Sequence, residues 1–240
     1  MKKIIVSGCS MASGFECTQL GVQWPRDYKF AWPTVLANKL EMEVINLSRP
    51  GISNQTIWHQ LATNLDHITT DDFVIIAWTD LAREDYQTEN SIWVLSSWLG
   101  DRLDDAPASV KSAWTAWVNA DDSYRFNSHA WLAWTAHEIL KTRNIKHLMF
   151  NSISPLGFTP QDLTIPIANN QSSPMVWNSV IEGGYYLNPL NGESTQFAWL
   201  SKNCPELRVS QDDNHRHWNA QGLQQWADHL YEPVKKALTE

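Results

Sequence analysis

Long apolar runs are missing from this 240-residue sequence. No stretch approaches the roughly 18 apolar residues that cross a bilayer, so a soluble protein without a membrane partner is expected. The segment Val6-Ser7-Gly8-Cys9, behind Met1-Lys2-Lys3, has the form of a lipid-attachment site, but its apolar stretch runs only from Ile4 to Val6. A secretory signal needs about 7–15 such residues, so no leader is read and a cytoplasmic location is expected. Cysteine is scarce. Cys9, Cys17 and Cys204 are odd in number and lack metal-ligand spacing, which argues against a disulfide framework and for a reducing compartment. Basic charge is also short, with 18 Lys and Arg against 26 Asp and Glu and a net charge of −8. That balance excludes a nucleic-acid backbone or an anionic membrane as the main partner and fits a neutral or polar small molecule. There is no phosphate loop, dinucleotide glycine fingerprint or His-Glu-x-x-His pattern, so a mechanism without cofactor or metal is expected. Nor does a linker, repeat or low-complexity tract divide the chain, and residues 1–240 read as one domain.

What is present is an alternation of strands and helices. Lys3 to Ser7, Glu43 to Leu47, Phe73 to Trp78 and Lys146 to Asn151 are short apolar runs rich in β-branched residues, the pattern of strands buried on both faces of a parallel sheet. Helical patterns lie between and after them, at Trp32 to Leu40, Asn54 to Leu65, Ala130 to Lys141 and Ala220 to Leu238. This order predicts a doubly wound α/β sheet with right-handed crossovers, whose active site forms beyond the carboxyl ends of the strands. Ser10, Gly51 and Thr79-Asp80 follow the first three strands and should converge on that edge.

Two stretches exceed the minimal sheet. Residues 86–126 carry Trp93, Trp98, Trp114 and Trp117 among acidic residues and read as a helical insertion. Residues 154–204, rich in Pro, Asn and Gly, read as a long loop or cap over the site. The chain holds 14 tryptophans. Their faces suit sugar rings and other flat apolar surfaces, although core packing accounts for most tryptophans in a domain of this size. His59, His67, His129, His137, His147 and His229 are scattered over helices or their ends and form no close constellation.

The terminal motifs carry the chemistry. Gly8-Cys9-Ser10 breaks the first strand, Arg49-Pro50-Gly51-Ile52-Ser53-Asn54 follows the second, and Asp212-Asp213-Asn214-His215-Arg216-His217 leads through Gly222 into the last helix. A serine near a histidine and a carboxylate supplies the parts of nucleophilic hydrolysis. In order and position these blocks resemble the SGNH hydrolases, also called GDSL esterases and lipases, and the compact tryptophan-rich composition is similar to bacteriophage members. The resemblance implies a three-layer α/β/α sandwich with a flavodoxin-like parallel sheet, and cleavage of an ester in a carbohydrate or small molecule. Ser10 then stands as nucleophile, His217 as general base and Asp213 as its orienting carboxylate, with Asp212 the second choice. Gly51 and Ser10 supply backbone oxyanion donors, and Thr79 or Asn54 a side-chain donor.

The departures are specific. Cys9 replaces the Asp of the family's first block, and Thr79 stands where its third block has Asn. Asp212 lies three residues before His215, the family's interval, whereas Asn214 lies three before His217. The dyad is therefore either Asp212 with His215 or Asp213 with His217. The five-residue interval from His217 to Gly222 favours the second. A fold retained as a binding or structural module, and a thiol enzyme using Cys9, are the competing classes.

Overall fold

The computed structural model describes residues 2–15, 28–120, 122–153, 180, 183–187, 194–209 and 217–239. Four parallel strands form the central sheet: β1 (Lys3–Gly8), β2 (Glu43–Asn46), β3 (Phe73–Trp78) and β6 (Lys146–Asn151), in the spatial order β2-β1-β3-β6. β3 is buried at all six positions and β6 at five: β3 lies between two strands, and β6 is covered by helices and by the segment around Tyr186. β2 is an edge strand, and its residues alternate between exposed and half-buried. Beyond β6, Tyr186 bridges Met149 in parallel and continues the sheet.

The registers Ile4↔Phe73 to Gly8↔Ala77 and Phe73↔Lys146 to Trp78↔Asn151 keep the strands level. Their carboxyl ends therefore share one edge. From β1 the chain crosses to β2 on one side, and from β2 it returns past β1 to β3 on the other. That reversal of order at the ends of β1 and β3 is where a doubly wound sheet opens a crevice for ligands.

Helices complete the three layers. α2 (Trp32–Lys39) starts with Pro33 in its first turn, where a missing N–H costs nothing. It packs against the last helix, α7 (Ala220–Thr239). α3 (Asn54–Ala62) is capped by Ser53, whose side chain accepts from the Thr56 N–H, and packs with α5 (Asp122–Thr142). On α5 the buried Ala130, Ala133, Ala136 and Leu140 repeat at helical spacing, and the small side chains let the helix lie close to the sheet. Trp32, Phe150 and Trp226 pack in series, tilted and edge-on, with centroids 5.6 and 5.3 Å apart. Trp32, Trp78, Trp218 and Trp226 are fully buried, so much of the tryptophan content is core. Trp131, 44% exposed, is a surface exception.

The expected helical insertion at 86–126 begins differently. Glu84–Gln87 (β4) and Ile92–Leu95 (β5) form an antiparallel hairpin, followed by a 3₁₀ stretch, Ser97–Asp105, and α4 (Ala108–Val118). Leu95, Leu99, Val110 and Trp117 give this excursion a small core of its own. Pairing between two short strands, rather than a helical period, decides the first half. Most of the expected cap at 154–204 lies outside the described residues. Its end is α6 (Gln196–Asn203), capped by the Thr195 side chain.

Candidate functional site

Ser10 opens α1 (Ser10–Ser13), a single helical turn at the end of β1. The turn is sharp because Gly8 permits it. A Cβ at Gly8 would lie 3.0 Å from the Cβ atoms of Ala12 and Ala77, tighter than ordinary contact. Cys9 then sends its side chain into the core, fully buried, which removes the thiol from the surface and leaves no support for a thiol enzyme. Ser10 itself keeps 7% exposure. Gly14 closes the turn in the left-handed region, at φ 71°.

A one-turn helix cannot satisfy its own carbonyls, and two distant amides do so here. Asn46, at the end of β2, donates through Nδ2 to the Ala12 carbonyl at 2.8 Å. Gln196, at the start of α6, donates through Nε2 to the Met11 carbonyl at 3.3 Å. Ser13 Oγ adds a bond to the Ser10 carbonyl. The serine-bearing turn is thus gripped from two sides.

The loop after β2 reaches the same edge through the Arg49 N–H, which donates to the Gly8 carbonyl at 3.1 Å. Gly51 follows with φ +75°, a conformation other residues rarely adopt, and faces open space. Next to it, Asn54 ties α3 to the end of β3: its Oδ1 accepts from the Thr79 N–H at 2.8 Å and its Nδ2 faces the Asp80 carbonyl at 3.5 Å. The Asn54 amide is therefore largely engaged by backbone. Thr79 is 1% exposed, and its Oγ1 is buried with no hydrogen-bond partner among the described residues. A buried hydroxyl left in that state costs stability.

His217 approaches from the other end of the chain. Its carbonyl accepts from the Val209 N–H at 3.0 Å, and the Arg208–Trp218 bridge anchors the segment. Phe15, just past α1, meets the imidazole edge-on with ring centroids 5.2 Å apart. Gly222 explains the interval seen in the sequence: a Cβ there would lie 2.8 Å from Trp218 Cβ, so the helix carrying Gly222 closes directly on the residue after His217. Asp212, Asp213 and His215 lie outside the described residues.

A polar chain that the sequence did not reveal runs beneath the edge. Tyr186 donates its hydroxyl to Asn151 Oδ1 at 2.6 Å, and His129 Nε2 lies 3.1 Å from the same hydroxyl oxygen. With the tyrosine hydrogen committed to Asn151, His129 donates from Nε2. Burial pushes the His129 pKa down to about 3 and the tyrosine well above its ordinary value, so both are neutral. The groups come from β6, α5 and residue 186, with no sequence spacing to connect them.

No family model matches the sequence, and no curated protein matches it. Solved structures do match. The chain is similar to the psychrotrophic esterase EstA from Pseudoalteromonas sp., at 14% identity over 99% of both chains with a TM-score of 0.52. It is similar to Est24, a carbohydrate acetylesterase from Sinorhizobium meliloti, at 11% identity over 98% of this chain and 99% of that one, TM-score 0.51. A third is a carbohydrate esterase whose active site displays divergent catalytic and non-catalytic binding functions, at 10% identity over 98% and 68%, TM-score 0.50. At these identities the likeness establishes the fold.

Proposed function

We propose that this chain, which has the fold of the SGNH esterases, is a serine hydrolase that removes a short acyl group, such as acetyl, from a carbohydrate or small molecule. The observation that carries the reading is the contact of Phe15 with His217, which brings the segment just past Ser10 against the imidazole at the carboxyl edge of the sheet. The carbohydrate acetylesterase among the similar folds supports the substrate class.

In this reading His217 accepts the Ser10 hydroxyl proton as Oγ attacks the ester carbonyl, and an aspartate at 212 or 213 orients the imidazole. The developing oxyanion takes hydrogen bonds from the Ser10 and Gly51 N–H groups and from Thr79 Oγ1. Collapse expels the alcohol, which leaves with the proton held by the imidazole. Water then repeats the sequence on the acyl-enzyme.

The test is a fluorophosphonate probe combined with hydrolysis of 4-nitrophenyl acetate. Wild type is labelled at Ser10 and turns over, whereas Ser10→Ala is unlabelled and loses several orders of magnitude in kcat. Equal turnover by both would assign the activity elsewhere. A non-catalytic binding module is the second reading, favoured by Thr79 standing in the place of the family's Asn. Absence of labelling and of turnover on a broad ester panel would select it.

A further inference from the structure

Beside the third block, on the flank formed by α3 and α5, a cavity of about 80 Å³ opens. Asn54 belongs both to its wall and to the bonds that hold Thr79 and Asp80. The cavity therefore adjoins the proposed oxyanion site. Arg83, Glu84 and Arg125 supply its charge, with His129 and Leu132 behind them.

The two guanidinium groups are not equivalent. Arg125 lies 4.7 Å over the Trp117 ring, donates to the Trp117 carbonyl and faces Glu84, whose pKa burial raises and the guanidinium only partly brings back down. Arg83 makes no ion pair among the described residues, and its Nη1 is buried without a hydrogen-bond partner. Nearby Asp85 accepts from Thr56 Oγ1 at 2.6 Å through Oδ2 while its Oδ1 is buried without a hydrogen-bond partner among the described residues, and Asp80 accepts from the Ala82 N–H at 2.9 Å. His129 is neutral. Arg83 is half-buried, yet one of its guanidinium nitrogens is shut away with no acceptor, which costs stability, and a carboxylate is the planar anion that best matches a guanidinium.

We infer that this cavity is a subsite for a carboxylate carried by the substrate, anchored by Arg83, so that the ester hydrolysed is an acidic one. The inference deepens the proposed esterase reading and rests on it for its link to catalysis. The site is too small for a whole sugar. It takes the acidic end of an acyl group or of an acidic alcohol such as a uronic acid.

Binding is measured first, without turnover, by titrating the full chain with glucuronate and with succinate, each beside a neutral match, glucose and succinamide. At least one acid binds the wild type ten or more times more tightly than its neutral match. Arg83→Gln abolishes that ratio and Arg83→Lys keeps part of it. Equal binding of acid and neutral partner in both pairs, or a preference that survives Arg83→Gln, overturns the subsite. Hydrolysis then locates it. A tenfold preference in kcat/KM for mono-(4-nitrophenyl) succinate over 4-nitrophenyl acetate puts the carboxylate on the acyl side. The same preference for an O-acetylglucuronate over an O-acetylglucoside puts it on the alcohol side. Selective acid binding with no hydrolysis of any ester would sink the esterase reading and leave the subsite standing. Hydrolysis with no acid preference in binding or rate would do the reverse.

Discussion

Thr79 concentrates the tension between stability and activity in one hydroxyl. Its Oγ1 is buried and unpartnered among the described residues, so replacing it with a methyl group of similar shape removes a desolvated polar atom without opening a cavity. Thr79→Val is expected to hold or raise the unfolding midpoint. Under the proposed esterase reading the same change removes an oxyanion donor, and such a loss costs about 10²–10³ in kcat. On that reading Thr79→Asn, which places there the residue that the third block of the SGNH hydrolases carries, keeps or raises the rate. Urea unfolding and ester turnover measured on the same preparations check the pair. A Val variant at wild-type rate would remove Thr79 from the oxyanion site, and a further loss in Asn54→Ala would move the donor to Asn54. Gly51 differs in kind, because its φ of +75° makes any side chain strained there even though space is open.

At the scale of elements, the site depends on how a four-residue helix is held. Asn46 and Gln196 bond consecutive carbonyls of α1 from β2 and α6, so both side-chain amides are committed to backbone. Each is a positioning residue. Asn46→Ala or Gln196→Ala costs about 1 kcal/mol of stability for the lost bond and is expected to lower kcat with little change in KM, since Ser10 loses its aim rather than the substrate its contacts. Wild-type kcat in both variants would show that Gly8 and Cys9 suffice to fix the turn. The sheet could be read from sequence because its signal is local: β3 and β6 are buried on both faces, and their apolar runs match the observed Phe73–Trp78 and Lys146–Asn151 end to end. The β4–β5 hairpin was not legible. Glu84-Asp85-Tyr86-Gln87 has no apolar alternation, and its strand character comes from its partner Ile92–Leu95. The grip of Asn46 and Gln196 on α1 was hidden for the same reason, as each contact joins residues far apart in the chain. Gly222, by contrast, was legible as an interval, and its cause is the close approach to Trp218.

Across the whole molecule, buried neutral histidines tie the fold to pH. His129 beneath the carboxyl edge is pushed down to about 3 by burial, and His147, at the amino end of β6, to about 4. In His147 burial dominates, with His137 adding to it and the hydrogen bond to the Ile145 carbonyl opposing it. In the unfolded chain both titrate near 6.5. Between pH 6.5 and about 4 the unfolded state therefore binds protons that the folded state refuses, and stability falls as pH falls. Each group contributes about 1.4 kcal/mol per pH unit in that window, so the two together remove on the order of 4 kcal/mol between pH 6.5 and 5. That is a large share of the roughly 5–15 kcal/mol that holds a typical domain. Glu84 works in the opposite direction, since burial raises its carboxyl and the folded state takes up that proton more readily. Burial also lowers His137 and His229, so with one such carboxyl against four histidines the histidine slope prevails. Urea unfolding at pH 7.5, 6.5, 5.5 and 5 is expected to show a flat upper limb and a steep loss below 6.5. His129→Gln makes the slope shallower, while keeping a side chain able to reach the Tyr186 hydroxyl. A midpoint constant from pH 7.5 to 5, or a slope untouched by His129→Gln, would mean that these rings are solvated or paired in the folded state.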